Sequence, residues 1–382
     1  TMFDLNISIW VVAAAIGLLG SSYAIFGGLK SVAVSDTLNG LGLLIGGLMI
    51  PVLALVSLGG GSFFEGLSIL GSENPEYLRV LTQENLEGKQ VSVPWPTLLT
   101  GMMFIQIFYW STNQVIVQRA MAAKSLAEGQ KGVLFASAMK LVGPLMLCLP
   151  GIIALHMPDL IIDKQDQVYG AVVRHVLPDW SLGLFAAVLM GSILSSFNSA
   201  LNSASTLFSL QFYKGYINKA ASEVDIVNVG KKFGIVLAIA SIAIAPVLAQ
   251  LDSIFQYLQK VNGIYSVPII AIFLLGILTK HIPAVGAKIG MIVGFVSYAY
   301  FVFFPIENLH WLHMYFISFT WSVMIMLLIG YLNPKTQKEI EKSDERDPAP
   351  VDMTPWSKAK DASIAIVLAT VVIYILLSLA AS

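Results

Sequence analysis

Ser192, Ser195, Ser196, Ser199 and Ser203 fall at i, i+3, i+4, i+7 and i+11, which places them on one face of a helix. Hydroxyl and carbonyl oxygens suit sodium, a hard cation, by the logic that governs calcium and magnesium. The same serines could instead let helices pack closely, each hydroxyl bonding back to the carbonyl four residues earlier. Lys140 is the only basic residue deep inside an apolar run. It can snorkel, pair with a carboxylate or hydrogen-bond a polar ligand. Asp36 follows Lys30 closely and reads equally well as interfacial. Gln106, Tyr109, Asn113 and Gln114 interrupt one apolar stretch, and Gln256, Gln259 and Asn262 another, with Gly263 and Pro268 close by to loosen the backbone. Amides are good partners for sugar hydroxyls, and they also bind helices to one another. Polar groups at membrane depth are costly, so they mark pathways or helix contacts.

The elements that carry these residues are apolar. Charged residues make up 12% of the 382-residue chain and hydrophobic ones 56%, with a mean hydropathy of +0.77. A soluble protein would carry about 25% charged residues. Runs free of charge cover 7–29, 37–64, 90–118, 180–213, 233–251, 261–279, 289–306, 308–334 and 362–382, and 132–158 holds only Lys140. About 20 apolar residues suffice to span a bilayer as a helix, which satisfies its own backbone. About ten transmembrane helices are therefore expected, in an all-α polytopic membrane protein. Short alternating segments of the β-barrel kind are absent from the sequence.

Basic residues set the expected orientation. Lys30, Arg119, Lys124, Lys131, Lys214, Lys219, Lys231, Lys232, Lys280, Lys288, Lys335, Lys338, Lys342, Arg346, Lys358 and Lys360 occupy alternate gaps between runs. Only Arg79, Lys89, Lys164, Arg174 and Lys260 occupy the others. The first set is read as cytoplasmic, which puts both ends of the chain outside. Residues 65–94 read as an extracellular loop ending at the Trp95-Pro96 interfacial anchor, and 333–361 as a polar, flexible cytoplasmic linker before a C-terminal helix at 362–382.

Several chemistries find no support in the sequence. Cys148 is the single cysteine, and the histidines (His156, His175, His281, His310, His313) lack metal-ligand spacing. No P-loop, kinase signature or nucleophile elbow is present. Transport driven by an ion gradient is the natural reading, with no enzyme activity, no cofactor and no nucleic-acid partner. The expected partners are a small solute and the lipid bilayer, and the expected place is the plasma (inner) membrane.

An ordered set of motifs sharpens this. The stretches Tyr23-Ala-Ile-Phe-Gly-Gly-Leu-Lys-Ser-Val-Ala-Val-Ser-Asp36, Tyr109-Trp-Ser-Thr-Asn-Gln-Val-Ile-Val-Gln-Arg119, Ala122-Ala-Lys-Ser-Leu-Ala-Glu-Gly-Gln-Lys-Gly132, Ser195-Ser-Phe-Asn-Ser-Ala-Leu-Asn-Ser-Ala-Ser-Thr206 and Phe255-Gln-Tyr-Leu-Gln259 occur in this order. Together they resemble the sodium–solute symporter family, especially its bacterial sodium–sugar branch, across nearly the whole chain. The resemblance implies an inverted-repeat (LeuT-like) transporter core with sites near the midplane. It implies that Ser195 and Ser196 are sodium ligands, that Ser192 lies where a backbone carbonyl contributes, and that Asp36 belongs to the sodium path. By the same resemblance Lys140, Gln106 and Gln259 contact the solute. Tyr109 is an inner-gate aromatic and Phe255 part of an outer gate. Gln106 stands where the sodium–galactose relative has Asn, so the identity of the sugar is open. A symporter for sialic acid, another organic acid or an amino acid, and a transporter-derived sensor, remain alternatives.

The resemblance also implies a division of the chain. Residues 1–64 would be the last two helices of the first inverted repeat, 95–279 the five helices of the second, and 280–332 two peripheral helices. Family members begin with helices that have no counterpart here, including the first core helix, so the chain is expected to be partial and not to transport alone.

Overall fold

The computed structural model describes residues 7–73, 75–79, 93–160, 167–248, 250–251, 254–307, 309–344 and 351–380. These residues are helical almost throughout, with one isolated bridge, Ser125 to Asp352, and no longer strand among them. The helices are α1 (Ile9–Leu58), α2 (Phe63–Ser72), α3 (Leu98–Ser111), α4 (Gln114–Met121), α5 (Leu126–Leu147), α6 (Leu149–Ala154) and α7 (Val168–Val176). There follow α8 (Asp179–Leu207), which runs on as a π-helix over Phe208–Ile217, α9 (Glu223–Leu248), α10 (Ile254–Leu278), α11 (Ala284–Phe303), α12 (His313–Leu332), α13 (Gln337–Asp344) and α14 (Ala359–Ala380). Among the described residues eight helices are long and apolar enough to cross a membrane, and Trp10–Ser22 and Leu98–Ser111 are shorter apolar helices. These ten segments are the ten apolar runs of the sequence.

The chain divides into two units. The first holds Thr1–Leu78, Phe135–Ile254 and Ile366–Ser382, the second Arg79–Leu134 and Phe255–Ala365. In the first, Ile50, Ala54 and Leu55 of α1 pack with Leu70 of α2, Ile153 and Ala154 of α6, Val172 and Val173 of α7 and Phe185 of α8. The α1–α2 turn uses Gly60 and Gly61 at φ +59° and +108°, a region that side chains with a Cβ avoid. In the second unit, Phe104, Ile105 and Phe108 of α3 pack with Val267 and Ile270 of α10, Tyr298 of α11, and Met314 and Tyr315 of α12. Gly290 brings α11 against α12, where a Cβ would stand 2.2 Å from Met326 Cγ. Ser322 Oγ donates to the Gly290 carbonyl at 2.6 Å, so close backbone approach is used for a hydrogen bond.

At three places the structure adds backbone detail that the sequence did not supply. The two spans placed at 7–29 and 37–64 are joined by helical backbone through Lys30, without a loop. Residues 23–36 contain no proline, so nothing there removes an i→i−4 bond. The axis nevertheless bends. A Cβ at Gly20 would stand 2.9 Å from Leu194 Cδ2 and 3.2 Å from Asn198 Oδ1, while Asp36 bonds Ser195 one turn away. A straight helix would part Gly20 from Asp36 by about 24 Å, too far for short side chains to share one turn of α8. The Gly27-Gly28 pair lies between these contacts, and such pairs are a common cause of kinks.

The stretch 65–94, expected as an extracellular loop, opens with most of α2, capped by Ser62 Oγ accepting from the Glu65 N–H at 3.3 Å, and a 3-10 turn over Pro75–Leu78. Residues 80–92 lie outside the described part. The expected flexible linker 333–361 contains α13 and a docked stretch. The Leu126 N–H donates to the Asp352 carbonyl at 2.9 Å, the Trp356 N–H donates to Gln130 Oε1 at 2.8 Å, and Lys131 Nζ lies 5.9 Å over the Trp356 ring. Residues 345–350 lie outside the described part. The C-terminal helix begins at Ala359.

Candidate functional site

Small residues let α1 approach α8 closely enough for polar groups to meet. A Cβ at Gly42 would stand 2.9 Å from Val188 Cγ2, one at Gly46 2.6 Å from Phe185 Cδ2, and one at Gly191 2.4 Å from Asn39 Oδ1. With that approach, Asn39 Nδ2 donates to the Gly191 carbonyl at 3.1 Å and to Ser35 Oγ at 3.3 Å. One helical turn away, Ser195 Oγ donates a hydrogen bond to Asp36 Oδ1. A carboxylate acceptor makes this bond charge-assisted, and it joins residues 159 apart in sequence.

The other serines behave differently. Ser192 Oγ donates to the Val188 carbonyl at 3.0 Å, Ser196 Oγ to that of Ser192 at 3.1 Å, Ser199 Oγ to that of Ser195 at 2.8 Å, and Ser203 Oγ to that of Ser199 at 2.8 Å. Four of the five thus make the back-bonds that helix packing alone would produce. A hydroxyl that donates its proton keeps two lone pairs, so these bonds orient the oxygens without consuming their capacity to bind a cation. Ser199 and Ser203 are buried, Ser192 and Ser195 half-buried, and Ser196 exposed. The result is an oxygen-rich face: one carboxylate, with the hydroxyls of Ser192, Ser195 and Ser196 on neighbouring turns.

Asn198 lies within the serine motif. It is fully buried, and neither amide atom has a hydrogen-bond partner among the described residues. Its position three residues after Ser195, on the turn that meets Gly20, makes it part of the same polar neighbourhood. The sequence offers a signal for it only as an Asn between the Ser195-Ser196 pair and Ser199, which says nothing of burial.

The residues expected to contact solute or gate it are distributed. Lys140 is exposed on α5 in the first unit. In the second, Gln106 and Tyr109 lie three residues apart on α3, both exposed, while Phe104, Ile105 and Phe108 are buried. Tyr109 packs edge-on against Trp110, ring centroids 5.6 Å apart. Phe255 is exposed and Gln259 half-buried, one turn apart on α10. The Gln259 carbonyl accepts a hydrogen bond from Tyr315 Oη at 2.5 Å. Tyr315 and its neighbour Tyr298 carry no sequence signal of their own. In the same unit Thr100 Oγ1 and His313 Nδ1 are 2.7 Å apart, and burial first, then the nearby His313 and Lys260, pushes the His310 pKa down.

Comparison with known proteins agrees with this architecture. The family model described as the sodium:solute symporter family matches residues 2–294. The chain is 41% identical over 369 residues to an uncharacterized symporter, YidK, of Escherichia coli (strain K12), covering 96% of this chain and 63% of that protein. It is 32% identical over 332 residues to a sodium/glucose cotransporter of Vibrio parahaemolyticus, covering 79% of this chain and 59% of that one. It therefore spans about three fifths of the length of the curated relatives it matches. A solved structure, the substrate-bound outward-open state of a Na+-coupled sialic acid symporter, superposes with a TM-score of 0.72 at 21% identity, covering 87% of this chain and 69% of that one. That likeness establishes the fold, an inverted-repeat transporter fold in a multi-pass membrane protein.

Proposed function

This chain belongs to the sodium:solute symporter family, and from that premise we propose that its protein carries out sodium-coupled symport of a small polar solute, with a sugar as the first candidate. It is a transporter and not an enzyme, sodium is its coupling ion, and in a bacterial cell its place is the plasma membrane. The observation that carries the reading is the Ser195–Asp36 contact, which gathers a carboxylate and several hydroxyls onto one face of α8. Hard oxygens with one negative charge suit a monovalent hard cation. Ser192, Ser195, Ser196 and Asp36 are assigned to the sodium path, and the buried Asn198 amide offers one more oxygen beside them.

Lys140, Gln106 and Gln259 are assigned to the solute, and Tyr109 and Phe255 to its gates. Amide groups donate and accept, so Gln106 and Gln259 match the two-way hydrogen bonding of sugar hydroxyls. Symport follows if sodium and solute each favour the occluded state over either open one, since a ligand shifts an equilibrium only by its differential affinity. One charge crossing 100 mV supplies about 2.3 kcal/mol, and a tenfold sodium gradient about 1.4 kcal/mol. Together these support about several hundredfold accumulation for one sodium per solute.

A second reading draws on Lys140. A cation on α5 would suit a carboxylate-bearing solute such as sialic acid. Both readings are tested in proteoliposomes holding the full-length protein, with labelled glucose, galactose, myo-inositol and sialic acid, with and without sodium. Sodium-driven uptake of a neutral sugar supports the first reading, and uptake of sialic acid alone the second. Uptake indifferent to sodium, or unchanged coupling after Ser195→Ala with Ser196→Ala, refutes the mechanism.

A further inference from the structure

We infer that Tyr315 is a positioning residue for solute binding: its hydroxyl holds the turn of α10 from which Gln259 meets the solute. The inference rests on the assignment of Gln259 to the solute made above.

Tyr315 Oη donates to the Gln259 carbonyl at 2.5 Å, across 56 residues of sequence. Both Tyr315 and Tyr298 are buried, 0% and 1% exposed. Their rings meet edge-on with centroids 5.0 Å apart at 72°, a favourable aromatic geometry that holds each in place. Tyr298 in turn lies against Gly263, where a Cβ would stand 2.1 Å from its Cζ and 2.3 Å from its Oη. The two tyrosines therefore take hold of α10 at Gln259 and Gly263, the two ends of one helical turn. Five residues beyond Gly263, Pro268 has no N–H to give, so the carbonyl of Ile264 lacks its usual helical donor. Just above this weak point, the Tyr315 bond is what keeps the Gln259 turn in register with α12.

A purely structural role would not need the hydroxyl. Apolar packing around Phe104, Phe108, Val267 and Ile270 would be served by a phenyl ring. A buried hydroxyl costs free energy unless it is bonded. Here it is bonded to a carbonyl that, inside a helix, is already the acceptor for the N–H four residues on. The second bond adds direction to a residue whose side chain is half-buried while its neighbours Leu258 and Lys260 are exposed.

The test is a double-mutant cycle of Tyr315→Phe and Gln259→Ala in the full-length protein in proteoliposomes. The probe is the labelled sugar that gives sodium-driven uptake in the panel above. Tyr315→Phe is expected to raise the sugar K0.5 about threefold to tenfold, the loss of one hydrogen bond, with maximal rate and sodium K0.5 held within about twofold. In the Gln259→Ala background the same change adds nothing. Replacing Tyr315 by 4-aminophenylalanine, which restores a donor, brings the sugar K0.5 back and also serves if the phenylalanine variant is recovered poorly. An unchanged sugar K0.5 in Tyr315→Phe, or equal effects in both backgrounds, overturns the inference and leaves the solute role of Gln259 standing. An unchanged sugar K0.5 in Gln259→Ala removes that role and the inference with it.

Discussion

The Ser195–Asp36 hydrogen bond can be weighed by a second cycle, Asp36→Asn against Ser195→Ala, with the sodium dependence of uptake as the readout. A hydrogen bond to a charged group is worth about 1.5–3 kcal/mol. Both partners are half-buried, and partial exposure to solvent favours the low end, about 1.5 kcal/mol. At 1.4 kcal/mol per decade this is about a tenfold coupling in sodium K0.5. Ser195→Ala removes a ligand and the donor together. Asp36→Asn keeps an acceptor oxygen and removes the charge. If the bond organises the sodium path, the double variant is less impaired than the product of the singles by about that factor. Ser196→Ala supplies the comparison, because the Ser196 hydroxyl bonds the Ser192 carbonyl within α8 and its loss leaves the Asp36 contact in place. The assay is initial uptake in proteoliposomes holding the full-length protein, over a sodium series at constant ionic strength and with choline as replacement. Effects of Asp36→Asn and Ser195→Ala that simply multiply, or a Ser196→Ala variant that loses as much sodium affinity as the double, would refute the reasoning.

Four other outcomes follow from named contacts. Gly66→Ala forces a Cβ to 1.9 Å from the Leu55 carbonyl oxygen, whereas nothing stands within 4 Å at Gly71. The first is expected to cost about 1–3 kcal/mol and lower the detergent-solubilised Tm by several degrees, the second to leave it unchanged. Trp356→Ala removes the ring under Lys131; at about 0.5–1 kcal/mol for an exposed cation–π contact, the Leu126 amide should exchange about two- to fivefold faster by hydrogen-exchange mass spectrometry. Asp352 is held below the usual carboxylate range first by the Thr354 hydroxyl and then by the Thr354 N–H. A depressed acid stabilises above its unfolded pKa and loses that contribution as pH falls through the folded one, so Leu126 protection should be flat from about pH 5 to 8 and fall only in more acid solution. His310 is a base with its pKa pushed down, so the folded state binds fewer protons than the unfolded one. Stability should therefore rise with pH up to the ordinary histidine pKa of about 6.5 and level off above it. A Tm that is flat below pH 6.5, or a His310→Gln variant with the same pH profile as the parent, would contradict this.

Much of the architecture was legible in the sequence because hydropathy sums over a window and needs no neighbour. Each of the ten charge-poor runs contains an apolar helix, long or short. The break near Lys30 was harder to read. A positive charge between two apolar runs signals a passage through the interface, but whether the backbone there is loop or bent helix depends on what α8 offers to Gly20 and Asp36. The stretches read as an extracellular loop, 65–94, and a cytoplasmic linker, 333–361, hid their helices for a similar reason. Polar residues mark exposure, and exposure permits a capped helix such as α2 as readily as a coil.

The serine face shows where the line falls. Spacing alone put five hydroxyls on one side of α8 and left two readings open, sodium ligands or helix packing. Nothing in the periodicity separates Ser195 from Ser192, Ser196, Ser199 or Ser203, since all can reach a carbonyl four residues back. Only the tertiary structure decided that Ser195 turns to Asp36, that Asn198 is buried without a described partner, and that the Tyr315 hydroxyl ends on Gln259. A helix fixes the direction of its side chains through its own geometry, and the sequence carries that. The partner each one meets belongs to another helix, 159 or 56 residues away, and only packing brings the two together.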